Sequence, residues 1–320
     1  MLYKNNLIWL SICAALVFIM VVVGGYTRLS HSGLSIVEWK PVSGVIPPLN
    51  EKAWQEEFSL YKQSPEFKKI NLDINLSEFK QIFFVEYIHR ILGRLTGFAF
   101  LLPFLYFFIR FTASEKKYYM TIGVLIGLQG AIGWFMVKSG LIDQPNVSQY
   151  RLALHLCTAC IILMLLIWKI IPGNPTQSKY SYFTVFLLFL QITSGAFVAG
   201  LNAGLVYNSF PLMDGQLVPE GLWIIKPWYL NFFENITMVQ FTHRCLAFIN
   251  FVNIIVYCLF IIDSHKKIAI IIAALIITQL ILGIAILLYQ APLFLALLHQ
   301  AVAIILLIAL IIPLKRKINV

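Results

Sequence analysis

Apolar residues in this chain gather into runs of about 20, with polar residues between them, which is the pattern of helices that cross roughly 30 Å of hydrocarbon. The runs begin near residues 7, 82, 118, 152, 182, 237, 268 and 293. An all-α integral membrane protein of eight transmembrane helices is predicted, with both termini on one side. Residues 26–80 form one long connection on the outer side, where seven basic and seven acidic residues alternate with Trp39, Trp54, Phe58, Tyr61, Phe67 and Phe79. Aromatic side chains mixed with balanced charge suit short amphipathic helices at the membrane interface, broken up by Pro41, Pro47, Pro48 and Pro65. A second outer connection covers about 201–235.

Composition agrees with the pattern, because 60% hydrophobic and 12% charged residues cannot be hidden inside one soluble core of 320 residues. The charge of +10 marks topology rather than affinity for nucleic acid. Lys4, Arg110, Lys116, Lys117, Lys169, Lys179, Lys266, Lys267, Lys315, Arg316 and Lys317 fall on one face, against Lys138, Arg151 and Lys226 in the opposite short loops. The richer face, and both termini with it, is expected to be cytoplasmic. The first run lacks a small-residue cleavage site and is expected to stay as a helix. No Arg-rich, acid-poor leader precedes it, so a bacterial inner membrane is expected. All five cysteines, Cys13, Cys157, Cys160, Cys245 and Cys258, lie within apolar runs, which leaves none for an external disulfide.

The chain repeats itself. Glu86-Tyr87-Ile88-His89-Arg90 in the second span resembles Gln240-Phe241-Thr242-His243-Arg244 in the sixth, and Leu152-Ala153-Leu154-His155 in the fourth parallels Leu295-Ala296-Leu297-Leu298-His299 in the eighth. Gln129, Gln191 and Gln279 each precede a glycine by one or four positions in the spans between. Two duplicated four-helix bundles are predicted, residues 1–172 with the outer loop 26–80, and residues 173–320. Both halves start on the same side, so the repeat is parallel.

Four histidines at matched depth on alternate helices are what two iron porphyrins with paired axial imidazoles require, His89 with His155 and His243 with His299. One intramembrane histidine alone could simply hydrogen-bond across helices; the repetition favours haem. Gly93 and Gly97 follow His89 by four and eight positions, and Ala159, Ala247 and Ala303 follow the other histidines by four, giving clearance for a flat ring or ordinary close packing. Arg90 and Arg244 are candidates for haem propionates, with snorkelling to lipid headgroups as the alternative, and Arg94 and Arg151 are undecided between the two. Glu86, three before His89 and so on its helical face, is an intramembrane carboxylate whose counterpart is neutral Gln240. That asymmetry suggests chemistry in the first half and a held cofactor in the second; pairing of Glu86 with Arg90 is the plainer alternative. His31 and His265 read as solvated loop side chains.

Thr27-Arg28-Leu29, Ser32-Gly33-Leu34-Ser35, Pro65-Glu66-Phe67, Glu78-Phe79-Lys80 and Gly93-Arg94 accompany these motifs. Val137-Lys138-Ser139-Gly140-Leu141, Tyr150-Arg151-Leu152 and Phe210-Pro211-Leu212-Met213-Asp214-Gly215 follow them. Together they resemble the haem A synthase family, in a longer form without an external cysteine pair, over nearly the whole chain. The resemblance implies oxidation of a ring methyl of haem O to a formyl group through hydroxylated intermediates, with haem b as cofactor. It implies Glu86 as the catalytic carboxylate, His89 and His155 as ligands of the substrate haem, and His243 and His299 as ligands of the cofactor haem. Haem O, haem A and membrane lipid are the implied partners, with haem O synthase, a quinone or other electron acceptor, and a second copy of the chain as candidates. The alternative is a di-haem b-type cytochrome for quinol-linked electron transfer; a haem or solute transporter comes third.

Overall fold

Caps and kinks, rather than hydropathy alone, set where the helices begin and end in the computed structural model, which describes residues 2–40, 43–141, 147–176 and 178–316. Pro41 and Lys317 lie outside the described residues, as do the side chains of Lys4 and Arg316. Among the described residues the long helices are α1 (Leu2–Leu29), α4 (Leu76–Phe107), α5 (Ala113–Gly140), α6 (Gln149–Ile170), α7 (Lys179–Gly200), α9 (Ile236–Leu288) and α10 (Leu293–Ile311). These seven are long and apolar enough to cross a membrane. The shorter helices are α2 (Glu51–Lys62), α3 (Pro65–Lys69) and α8 (Asn231–Glu234). The chain is thus an all-α, multi-pass membrane protein.

At 53 residues, α9 measures about 80 Å by the helical rise, more than twice the hydrocarbon thickness. Its backbone leaves helical geometry at His265 (φ −138°, ψ 46°), between Ser264 and the basic pair Lys266-Lys267. The sequence expects two spans here, and the continuous hydrogen bonding hides the turn between them.

The chain forms two units, Met1–Arg151 and Leu152–Val320. In the first, α1 packs along α4: Trp9 Nε1 donates to the Ala99 carbonyl at 3.0 Å, and its ring meets Phe100 and Tyr119 at 5.3 Å. The long connection runs from residue 30 to 75 and is a folded cap. Asn75 and Glu78 form a capping box that starts α4 six residues before the apolar run near 82. The extra turns carry Phe79 and Phe83 into a cluster with Trp54, Phe58 and Tyr61. Tyr61 and Phe79 are fully buried, so α2 and α3 are held by an aromatic core against α4, more deeply than an interfacial film would place them. Pro65 stands at the first turn of α3 with Ser64 as its N-cap, so it starts a helix as well as ending one.

In the second unit, α7 packs on α9, where Tyr180 donates to the Asn253 carbonyl (3.1 Å) and Asn250 to that of Leu187 (3.2 Å). A two-residue antiparallel ladder joins β1 (Asn174–Pro175) to β2 (Lys315–Arg316), and Lys315 reaches the Gly173 carbonyl at 3.2 Å. All five cysteines are free.

Candidate functional site

The site-bearing helix of each unit begins at an asparagine cap, Asn75 for α4 and Asn235 for α9, whose side chains accept backbone N–H groups of the first turn. His89 stands 13 residues after Leu76, whereas His155 follows Gln149 by 6, His243 follows Ile236 by 7 and His299 follows Leu293 by 6. Distance from the helix start therefore does not give one depth for all four, because α4 is extended into the cap.

Glu86 is 2% exposed, and four hydrogen bonds converge on its carboxylate. Oε1 accepts from Arg90 Nε (3.0 Å) and Nη2 (2.6 Å); Oε2 accepts from Ser35 Oγ (2.8 Å) and the Ile36 amide (2.9 Å). Arg90 continues to the Ile36 carbonyl at 2.9 Å and the Glu38 carbonyl at 3.3 Å. The ion pair read from sequence as the plainer alternative is present, and it clamps residues 35–38 to α4.

The second unit carries the same clamp without the charge. Gln240 Nε2 donates to the Tyr207 carbonyl (3.1 Å), while Arg244 donates through Nη2 to Tyr207 (2.7 Å) and through Nη1 to Ser209 (3.0 Å). Thus the residue three before each histidine and the arginine just after it both seize the preceding connection. Arg244 Nε is buried with no acceptor among the described residues. Arg94 donates to the Lys40 carbonyl at 2.9 Å, and Arg151 stacks its guanidinium 4.1 Å above Phe135. Lys40 itself bridges Glu38 and Glu57, whose carboxylates hold its ammonium above the ordinary lysine range.

Two polar side chains of α7 grip the His243 ring. Ser194 Oγ lies 2.7 Å from Nδ1 and 2.8 Å from the Gln191 carbonyl, to which it donates. Gln191 Nε2 lies 3.2 Å from Nδ1 and 3.3 Å from Nε2, and donates to the His243 carbonyl at 3.2 Å. Gln279 Nε2 lies 3.2 Å from His299 Nε2, and His299 Nδ1 is buried without a partner among the described residues. The two imidazoles lie within electrostatic range of one another.

Glycines make room for three of the rings. A Cβ at Gly195 would stand 3.2 Å from His243 Cε1, one at Gly283 3.3 Å from His299 Cε1, and one at Gly24 3.3 Å from His89 Nε2. Sequence reasoning missed these contacts. Their signal is the Gln-x-x-x-Gly spacing of Gln191–Gly195 and Gln279–Gly283, which sequence reading counts only as a mark of duplication. The small residues singled out after His89 are less engaged: a Cβ at Gly93 would meet only Met20 at 3.7 Å, and Gly97 faces open space. His155 is half-buried on α6, and His31 occupies a turn with φ 50°.

These residues fit a haem. Among the described residues no three or more His, Cys, Asp or Glu side chains form a closed metal cage, so the histidines offer single imidazoles. The orphaned Arg244 Nε and His299 Nδ1 are donors or acceptors awaiting a partner, and the glycines leave the rings clear.

Comparison with known proteins agrees. A family model described as COX15-CtaA, cytochrome oxidase assembly protein, matches residues 7–311. The chain is 44% identical over 322 residues to the Heme A synthase of Nitrosospira multiformis, covering 95% of this chain and 90% of that protein. It is 45% identical over 316 residues to the Heme A synthase of Wolbachia pipientis wMel (95% and 90% covered) and 46% over 315 residues to that of Rhizobium rhizogenes (93% and 86%).

Proposed function

Because the chain belongs to the COX15-CtaA family of cytochrome oxidase assembly proteins, it is a membrane enzyme of haem A biosynthesis that oxidises haem O to haem A, and we propose how its parts divide that work. The observation that carries the proposal is the repeated clamp with a carboxylate on one side only: Glu86 with Arg90 in the first unit, Gln240 with Arg244 in the second. His243 and His299 hold a b-type haem, supported by the polar grip of Ser194 and Gln191 on the His243 ring and by the close approach of both rings to Gly195 and Gly283. Bound there, that haem supplies one-electron redox chemistry. His89 and His155 are the ligands of the substrate haem. Arg244 Nε is the donor offered to a propionate, and Arg90 is a candidate for the same role beside its bonds to Glu86, Ile36 and Glu38.

The substrate's ring methyl takes up the oxygen of water and releases two protons and two electrons, giving a hydroxymethyl group. A second round gives a geminal diol, which loses water to the formyl group. All four acceptor positions of Glu86 are filled, so it acts as a fixed negative charge that favours positive charge developing at the methyl, rather than as a base. A quinone or other acceptor removes the electrons.

We read the halves 1–172 and 173–320 as a duplicated pair of four-helix bundles with eight crossings in all; the break at His265 supports the eighth crossing, while by packing α6 with His155 belongs to the second compact unit, which begins at Leu152. The ends bearing Arg110, Lys116, Lys117, Lys169, Lys266 and Lys267 face the cytoplasm of a bacterial inner membrane. In a host that makes haem O and has no haem A synthase of its own, membranes containing the chain should yield extractable haem A. Membranes with the chain that yield haem O alone would contradict the reading.

A further inference from the structure

The cap holds a second buried carboxyl that the site above does not use. Glu66, in the first turn of α3, is 3% exposed although its neighbours in sequence include Lys68 and Lys69. Its Oε2 accepts from the Tyr61 hydroxyl at 3.3 Å, and the Tyr61 oxygen accepts from Asn71 Nδ2 at 2.8 Å. Tyr61 stacks on Phe79 at 5.1 Å. Ile36, whose amide donates to Glu86, packs against the same aromatic cluster, and Phe67 beside Glu66 does so too. Glu86 lies within electrostatic range of both Glu66 and Tyr61. Among the described residues, the titratable groups that act on Glu66 are Tyr61 from α2 and Glu86 from α4, and Glu86 is itself paired with Arg90.

Burial pushes the Glu66 carboxyl up from 4.5 to about 8, the charge of Glu86 adds to this, and the Tyr61 hydroxyl works against it. One carboxyl of the cap and α4 is thus locked in an ion pair, while the other holds a proton at neutral pH and can exchange it, the division of labour expected of paired acid–base groups.

We propose that Glu66 is the proton acceptor that serves the oxidation, taking up protons that Glu86 cannot because its acceptor positions are filled. This rests on the reading that the substrate methyl reacts beside Glu86. When a C–H bond of the methyl breaks, its two electrons leave to the quinone or other acceptor; when an O–H bond of the attacking water breaks, its electron pair stays on the oxygen, which forms the C–O bond. The proton forms an O–H bond with ionised Glu66, which then releases it to water outside the cap.

The test uses the full-length, haem-loaded protein in detergent and the variants Glu66→Gln, Glu66→Asp and Glu86→Gln. Turnover of the parent should rise with pH to a midpoint near 8, because the acceptor must be ionised. Glu66→Gln keeps an oxygen for Tyr61, so bound haem and its spectrum should stay at parental levels. Its turnover at neutral pH should fall by about 10-fold or more and lose that rise, and Glu66→Asp should recover part of it.

Stability gives an independent readout. A carboxyl held above its ordinary value contributes stability that is full below 4.5 and lost as pH climbs through about 8, so the parent's melting temperature should drop over that window and that of Glu66→Gln should not. Parental turnover with an unchanged pH profile in Glu66→Gln overturns the proposal, as does reduced folded yield with parental turnover per bound haem. If Glu86→Gln is inactive in the same assay, the reading of Glu86 stands without Glu66; if both variants are fully active, that reading falls with it.

Discussion

Glu86→Gln is expected to keep its haem and lose about 10²–10³-fold in product formation, the scale of removing one preorganised electrostatic group from a water-poor site. The substitution preserves shape and removes charge. It also turns an amide N–H₂ toward donors, either Arg90 or the Ser35 hydroxyl and Ile36 amide, so the clamp should weaken by about 1.5–3 kcal/mol, as for a hydrogen bond to a charged group. Folded yield will therefore fall somewhat whatever the role of Glu86, and turnover must be expressed per bound haem. A variant that accumulates less protein but turns over near the parental rate per haem would show that the ion pair with Arg90 is only structural. A variant that binds substrate haem and leaves it unoxidised, or stalled at the hydroxymethyl stage, supports the fixed-charge role.

The second large effect concerns the cofactor. His243→Ala and His299→Ala should each abolish most of the low-spin, bis-imidazole absorbance of the purified protein, whereas His89→Ala and His155→Ala should leave most of it. The physical ground is preorganisation: Ser194 and Gln191 fix the orientation of the His243 ring, and Gly283 lets the His299 ring lie close against α9. Equal loss from all four variants would contradict the assignment of cofactor to one half and substrate to the other.

The membrane class, the spans and the histidine repeat were legible in the sequence because lipid imposes them on composition and spacing. The contrast between Glu86 and Gln240 was legible for the same reason, since a carboxylate in a span is costly. What each residue touches was not. Arg90 and Arg244 end on backbone carbonyls 54 and 37 residues away, at Ile36 and Tyr207, and a carbonyl carries no signal in the sequence. The two arginines therefore read as snorkelling or propionate-binding groups when most of their donors hold the outer connections.

Glu66 was hidden by its context. Amid lysines and glutamates it looks solvated, and only the packing of Tyr61 against Phe79 reveals that it is buried. The early start of α4 was hidden in the same way: residues 76–81 are too polar to read as membrane helix, and the capping box at Asn75 carries the helix out into the cap. Ser194 escaped notice because a serine in an apolar helix usually bonds within its own turn, and this one does so while also meeting His243 Nδ1.

The most direct test of the account is mass analysis of the haems extracted from purified protein produced in a host that makes haem O. Two chemically different haems are expected in comparable amounts: unmodified haem b, and haem O with its hydroxylated or formylated derivatives. In His243→Ala the first should be depleted more than the second. Recovery of haem b alone, at about two per chain, would contradict the account and identify the four histidines as the ligands of an electron-transfer pair.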